Sequence, residues 1–550
     1  MKVIDAVARI LQLEGVKELC CYPTTSLIEA AANLDIRPIL CRQERVGVGI
    51  ADGFARVRNG QPPGVFAMQW GPGVENAVPG IATAYSDSSP VLCLPLGYPR
   101  ERDSIKPNFS AVHGLASITK SAEQITVPQR TVDAMRRAFS ALKNGRPGPV
   151  VVEVPRDIAT AEVEASLIEQ YVPVPKVRSC ADCLDVENAS KILLAAKCPV
   201  VIAGSGVLYA EAHDELAEIC GALHMPAITT MAGKSSISEQ KHPLALGSAS
   251  GVMSGTVHNY IVKADVVLAV GTSLMPHDLV TPIPAGKTII HVTNESDDLF
   301  RGRHTDHALL GDAKLVLQQI IDCCRGTSST SVKDRKNIND DIRRVRENWL
   351  GEWLPKLESN EVPINPYRVI WEFMRVIDPN KAIVTHESGN PRYEMMPFYK
   401  AAGPRSYLGW GKSHQLGTGL GLILGAKLAA PEKFCAVIMG DSAFGMTGLD
   451  LETAVRTGLP VCAIVLKNST MAVETQHLAL SHEKYQTRDV TGDYADIARA
   501  LGGWSERVVD PSDIAPALRR AKEANDNGRV ALLEFITSGE MNYSFLRPFH

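Results

Sequence analysis

Gly440-Asp441-Ser442-Ala443-Phe444, then Leu451-Glu452-Thr453-Ala454, then Val465-Leu466-Lys467-Asn468-Ser469-Thr470 decide how this chain folds. Asp441 follows an apolar run, residues 435–439, that reads as a buried strand, and a small-residue turn and a helical segment come next. Asn468 follows a second such run, residues 461–466. Two neighbouring strand ends can each offer one oxygen ligand to a single Mg²⁺, with the Thr470 carbonyl as a third. Oxygen-only ligation suits an ion that keeps waters and shares a diphosphate. The backbone N–H groups of a strand-to-helix turn suit the phosphates. Taken alone, the same residues also read as an ordinary turn with a helix-capping aspartate.

A second stretch lies far away: Arg42-Gln43-Glu44-Arg45-Val46-Gly47, followed by Ala51-Asp52-Gly53-Phe54-Ala55-Arg56. By itself Glu44 reads as a helix-start residue favoured by the helix dipole. Together the two stretches resemble the signatures of thiamin diphosphate enzymes of the acetolactate synthase, pyruvate decarboxylase and benzoylformate decarboxylase family. Ser442 replaces the usual glycine and Lys467 the first of two asparagines, and neither change removes a ligand. The resemblance implies thiamin diphosphate and Mg²⁺ as cofactors, with Asp441, Asn468 and Thr470 on the metal and Gly440, Ser442 and Ala443 around the diphosphate. Ser388, Gly389 and Asn390 are expected among the cofactor-binding residues. Glu44 would bond the aminopyrimidine and activate the coenzyme. In His414-Gln415-Leu416-Gly417, Leu416 stands 25 residues before Asp441. That is the place of the family's bulky apolar prop for the coenzyme, and the His414 carbonyl would bond its amino group. Gly145-Arg146-Pro147-Gly148-Pro149-Val150 is a further match, ahead of the last strand of the family's pyrimidine-binding domain.

Length and composition frame these motifs. With 550 residues, 45% hydrophobic and 21% charged, the chain is long enough for about three domains. A net charge of −4 gives no overall field for nucleic acid or an anionic membrane. No apolar run approaches the roughly 18 residues that span a bilayer, and the chain opens on an amphipathic helix pattern of Val3, Ala6, Val7, Ile10 and Leu11. A cytoplasmic location is expected. The 12 cysteines make no disulfide framework, and Cys180-Ala181-Asp182-Cys183 is a CxxC without a second pair at zinc spacing.

Strand and helix signals alternate from the start, which predicts an α/β protein of three domains, each with a central, mostly parallel sheet flanked by helices. Strands are expected at 16–21, 65–69, 91–95 and 150–154, and helices at 27–33 and 76–85. The expected domains are residues 1–165, pyrimidine-binding; 185–330, central and Rossmann-like; and 360–550, diphosphate-binding. Residues 171–175 read as an extended linker, and 326–348 as a polar connection that turns helical from about 338. The glycine turn at 204–206 is a weak dinucleotide signal because the full three-glycine spacing is missing. Related acetolactate synthases carry FAD in this domain, whereas related decarboxylases need nothing there; no flavin is expected.

The substrate side is less determined. Glu474, six residues after Asn468, stands where decarboxylases of the family place a glutamate facing the substrate, and it also reads as a solvated helix-face residue. Thr25 falls where benzoylformate decarboxylase has an active-site serine. His277 is close to where that enzyme supplies a histidine, although a surface-loop histidine is the plainer reading. His113 is the sole candidate near the missing histidine pair of pyruvate decarboxylase. The leading expectation is a 2-oxo acid decarboxylase with carboligase activity. The alternatives are a non-decarboxylating acyloin or 2-hydroxyacyl-CoA lyase, an acetolactate synthase-like carboligase, and a weakly active thiamin diphosphate-binding homologue. Expected partners are a small 2-oxo acid, aldehyde or acyloin and further copies of the chain, as homodimer or homotetramer, without nucleic acid or membrane. The tail Tyr543 to His550, aromatic and basic, could close over the site or simply dock.

Overall fold

The computed structural model describes residues 1–103, 105–327 and 329–545. Three sheets of six parallel strands organise them. Across the first sheet the strands run Arg37–Leu40, Glu18–Cys21, Gly64–Gln69, Val91–Gly97, Val150–Pro155 and Ser121–Gln124. Every residue of Val91–Gly97 and Val150–Pro155 is buried, as expected of parallel strands covered by helices on both faces. Val91–Gly97 outruns the expected 91–95 because Pro95 does not end it. The strand continues against Gly64–Gln69, while its pairing with Val150–Pro155 skips residues 94 and 95. The helix Pro72–Ser86 begins four residues before the expected 76, since Pro72 takes a first-turn position that needs no N–H.

The third sheet runs Tyr407–Leu408, Ala382–His386, Phe434–Gly440, Val461–Lys467, Ala531–Ile536 and Trp504–Val508. Counted along the chain, its strand order is that of the first sheet. The two outer sheets therefore share one topology, which the sequence had left undecided.

The middle sheet runs His307–Leu310, Thr288–Thr293, Val266–Val270, Val200–Ala203, Ala227–Thr230 and Ala245–Ala249, a doubly wound order. The order reverses between Val200–Ala203 and Val266–Val270. There a Cβ on Gly204 would lie 2.2 Å from the Gly271 oxygen, so the two turns touch backbone to backbone. A cavity lined by Gly204, Gly206, Gly271, Asp312 and Lys412 opens at this switch point, the usual ligand position in such sheets.

The helix Glu44–Val57 joins the first unit to the third by packing on the helix Thr418–Ala429. A Cβ on Gly53 would sit 2.0 Å from the Leu422 oxygen, and one on Gly425 2.0 Å from the Ile50 oxygen. Next to this crossing Arg56 forms a bidentate pair with Asp52 at 2.7 and 2.9 Å and reaches Asp87 at 3.5 Å. Among the described residues no helix is long and apolar enough to cross a membrane. Nor does any group of three or more His, Cys, Asp or Glu form a metal cluster, Cys180 and Cys183 included.

Candidate active site

Strands Phe434–Gly440 and Val461–Lys467 are neighbours in register, with Gly440 opposite Leu466, so their C-terminal ends bring Asp441 and Asn468 together. Ser469 N–H donates to Asp441 Oδ2 at 2.7 Å and Ser442 N–H to Oδ1 at 2.8 Å, while Thr470 N–H donates to Asn468 Oδ1 at 3.0 Å. Burial lifts the Asp441 carboxyl above its usual range against these donors. Lys467 pairs with Glu534 at 3.3 Å and Asp493 at 3.6 Å over the Tyr494 ring, so its side chain is engaged away from Asn468, while its charge favours the Asp441 carboxylate.

One cavity of about 910 Å³, counting its open mouth, gathers most of the predicted residues. Ser388, Gly389 and Asn390 line it from one side, Gly440 to Ala443 from another, with Asn468 and Thr470 beyond. His414, Leu416 and Glu474 also line it. Gly389 has φ +84°, and a Cβ on Gly389 or Gly440 would meet nothing within 4 Å, so both turns face open space. Ser442 Oγ is buried without a partner among the described residues, an unused donor at the turn. Ser388 Oγ donates to the His414 carbonyl at 3.3 Å, joining two of the expected cofactor residues. Glu474 sits in the short 3-10 turn Ala472–Glu474 and not on a helix face.

This donor set fits a metal-bound diphosphate. Asp441, Asn468 and the Thr470 carbonyl are all oxygen donors. Arg392 is the single Lys or Arg among the residues lining the cavity, so a diphosphate there calls for a divalent cation to offset its charge.

Glu44 lies elsewhere in the single chain. It lines a separate cavity with Tyr22, Arg42, Gln43, Arg45, Gln69 and Asn76, and the two cavities share no lining residue. Its carboxyl is buried, with Oε2 accepting from Asn76 Nδ2 at 3.3 Å, and burial raises its pKa. The neighbouring Arg45 guanidinium donates to the Leu416 carbonyl, which ties this motif to the prop residue.

The remaining candidates divide. His277 stands against His414, ring centroids 5.7 Å apart, so it lies beside a lining residue without itself lining the cavity. Thr25 is buried and its Oγ1 accepts from Leu27 N–H at 3.3 Å, which occupies it at a helix start. His113 is exposed and bonded to Ser110 Oγ at 2.9 Å. Neither Thr25 nor His113 lines either cavity of the single chain. Tyr543 donates to Asn390 Oδ1 at 2.6 Å, so the start of the tail docks beside the cavity; residues 546–550 lie outside the described residues.

Two residues escaped the sequence reading. Arg392 is 1% exposed, lines the cavity, and makes no ion pair among the described residues, with Nε unpartnered. Glu394 is fully buried, lines the same cavity, and has both oxygens unpartnered. The available signal was two opposite charges inside the otherwise apolar helix Asn390–Phe398. Arg392 donates at 3.5 Å to the Gly411 carbonyl and the Tyr393 hydroxyl, neither of them charged, and buried groups without an opposite charge mark candidate functional positions.

Comparison with known proteins matches the chain three times. "Thiamine pyrophosphate enzyme, N-terminal TPP binding domain" covers residues 1–122, the central domain of the same enzymes residues 186–320, and their C-terminal TPP binding domain residues 387–535. The chain is 30% identical to a probable acetolactate synthase large subunit of Methanocaldococcus jannaschii, over 96% of this chain and 90% of that one. It is 28% identical to acetolactate synthase isozyme 3 large subunit of Escherichia coli K12, over 97% and 94%. It is 26% identical to glyoxylate carboligase of Escherichia coli O157:H7, over 98% and 94%.

Proposed function

The chain belongs to the thiamine pyrophosphate enzymes of the acetolactate synthase family, and from that premise we propose that it decarboxylates a 2-oxo acid and joins the acyl carbon to a second carbonyl compound that keeps its own carboxylate. Thiamin diphosphate, when bound, supplies the carbon that adds to a carbonyl and the ring nitrogen that takes up the electron pair released with CO₂. Asp441, Asn468 and the Thr470 carbonyl would hold Mg²⁺ on its diphosphate, and Ser442 would donate to a phosphate oxygen. Leu416 would support it from below, and Glu44 of a second copy would hold or share a proton at the aminopyrimidine. Domain limits of 1–165, 185–330 and 360–550 and a homodimer or homotetramer belong to the same proposal.

Arg392 carries the choice of reaction. Among the described residues this buried guanidinium bonds neutral oxygens and forms no ion pair, which invites a carboxylate from the substrate. Such a pairing stabilises a carboxylate as it stands, which opposes its loss as CO₂ and suits one that persists into the product. The acceptor of a carboligation bears such a carboxylate. The relatives include an acetolactate synthase and a glyoxylate carboligase, which supports ligation over simple decarboxylation.

Pairs drawn from pyruvate, 2-oxobutanoate and glyoxylate, analysed for CO₂ and for 2-hydroxy-3-oxo acids by mass spectrometry, test this. Arg392→Met should raise KM for the acceptor by about 30-fold or more, as loss of a buried charge partner does, while CO₂ release driven by an artificial electron acceptor stays within a few-fold. Failure to release CO₂ from any 2-oxo acid would remove the decarboxylation half; aldehyde as sole product would remove the ligation half. The second outcome is the alternative favoured by Glu474, a carboxyl on the same cavity able to protonate the acyl carbon.

A further inference from the structure

A second cavity, of about 990 Å³ with its mouth, lies away from the cofactor site where the central unit, the long helix Ile338–Leu357 and the third unit meet. Its size is that of small-molecule sites. Its lining is aromatic: Trp349 stacks on Phe398 with ring centroids 5.0 Å apart, and Trp371 and Tyr399 complete the floor. Trp349 already donates to Ser544 Oγ at 3.1 Å. Three other groups have nothing to bond. Trp371 Nε1, Tyr399 Oη and Thr256 Oγ1 are buried without a partner among the described residues, and Tyr399 and Thr256 are 2% and 1% exposed. Unpartnered buried donors each carry a desolvation cost that a ligand acceptor would remove.

The rim adds charge. Burial disfavours the charged form of Lys400, the nearby Arg346 guanidinium adds to that effect, and Glu239 opposes it. Arg346 spends one N–H on the Ala245 carbonyl at 2.8 Å. Arg375 at the edge faces Glu372 at 3.5 Å. The acid on the lining, Glu239, is committed to the buried Lys234 at 2.7 Å. Two neighbouring cations thus stand over an aromatic floor; Glu239 lies near enough to favour both charges, but among the described residues neither cation makes an ion pair.

We propose that this cavity is a binding site for a small aromatic carboxylate, its ring on Trp371 and Phe398 and its carboxylate between Arg346 and Lys400. Tyr399 and Thr256 would donate to the second carboxylate oxygen or accept from a ring N–H. The proposal stands independently of the reaction assigned above.

Calorimetric titration of the full chain, saturated with thiamin diphosphate and MgCl₂, with indole-3-acetate tests it. The expected result is one indole-3-acetate per chain, and binding by uncharged indole weaker by about tenfold or more, the worth of charge-assisted hydrogen bonds. Arg346→Met with Lys400→Met should weaken indole-3-acetate by a similar factor, and Thr256→Phe should block it by filling the floor. Circular dichroism and cofactor binding establish that each variant is folded, and the conservative Tyr399→Phe should weaken binding several-fold without altering the fold. Absence of heat up to millimolar indole-3-acetate, equal binding of indole, or unaltered binding by the variants would each overturn the proposal.

Discussion

Burial in the cofactor cavity pushes the Glu394 carboxyl up to about 8, with the neighbouring Glu540 adding to the effect. Its hydrogen-bonding partners must come from what enters the cavity, since neither oxygen has one in the fold. A carboxyl whose folded pKa is raised holds its proton in the native state while the unfolded chain has released it. The stabilisation is complete below the unfolded value near 4.5 and is lost as pH rises through about 8. Within that window the loss is about 1.4 kcal/mol per pH unit for one such group. Glu387, buried and pushed to about 7, acts with the same sign over a narrower range. In the apoprotein, Glu394→Gln should therefore flatten the fall of the thermal midpoint between pH 5.5 and 9 and make the variant the more stable protein at the alkaline end. Parallel pH profiles for the two proteins would show that Glu394 does not titrate as described. None of this was visible in the chain alone: Glu394 reads as one more polar residue until the fold removes water from it. Asp441, Asn468 and Glu44 were legible because their chemistry rests on strand ends and helix starts, features carried by local pattern.

At the scale of elements, the crossing of Glu44–Val57 on Thr418–Ala429 places the glutamate motif against Leu416. The contact is made of glycines meeting backbone. Gly49 and Gly421 are close enough that a Cβ on either would stand 3.0 to 3.2 Å from the other's Cα, and no side chain could yield to make room at Gly425, where the obstacle is the Ile50 carbonyl at 2.0 Å. Gly425→Val should lower stability by more than about 3 kcal/mol, in line with severe overpacking of a core. Soluble yield and thermal midpoint measure it; an unchanged midpoint would mean the helices separate at little cost. The small-residue character of the first helix was plain in the sequence. Its partner was not, because pairing between residues nearly 400 apart leaves no local trace. Element ends slipped for nameable reasons, as where Pro72 starts a helix four residues early and Glu474 falls in a 3-10 turn.

Over the whole molecule, the repeated strand order of the outer sheets gives two similar units, one bearing the Glu44 cavity and the other the Asp441 turn. Alternating strand and helix signals made three units legible in the chain, yet the likeness of the outer two lies in topology, which diverged side chains conceal. Within one chain the two cavities share no lining residue, and the proposed site would join them across two copies related by symmetry. Hybrid complementation tests this most directly. Chains carrying Glu44→Gln and chains carrying Asp441→Ala, each inactive alone, are co-expressed with different tags, and the mixed oligomer is isolated and assayed. If each site draws its glutamate from one copy and its metal turn from another, half the mixed dimers' sites are intact and the hybrid recovers about half the wild-type rate per dimer. A hybrid as inactive as its parents would place both residues in one chain and contradict the account.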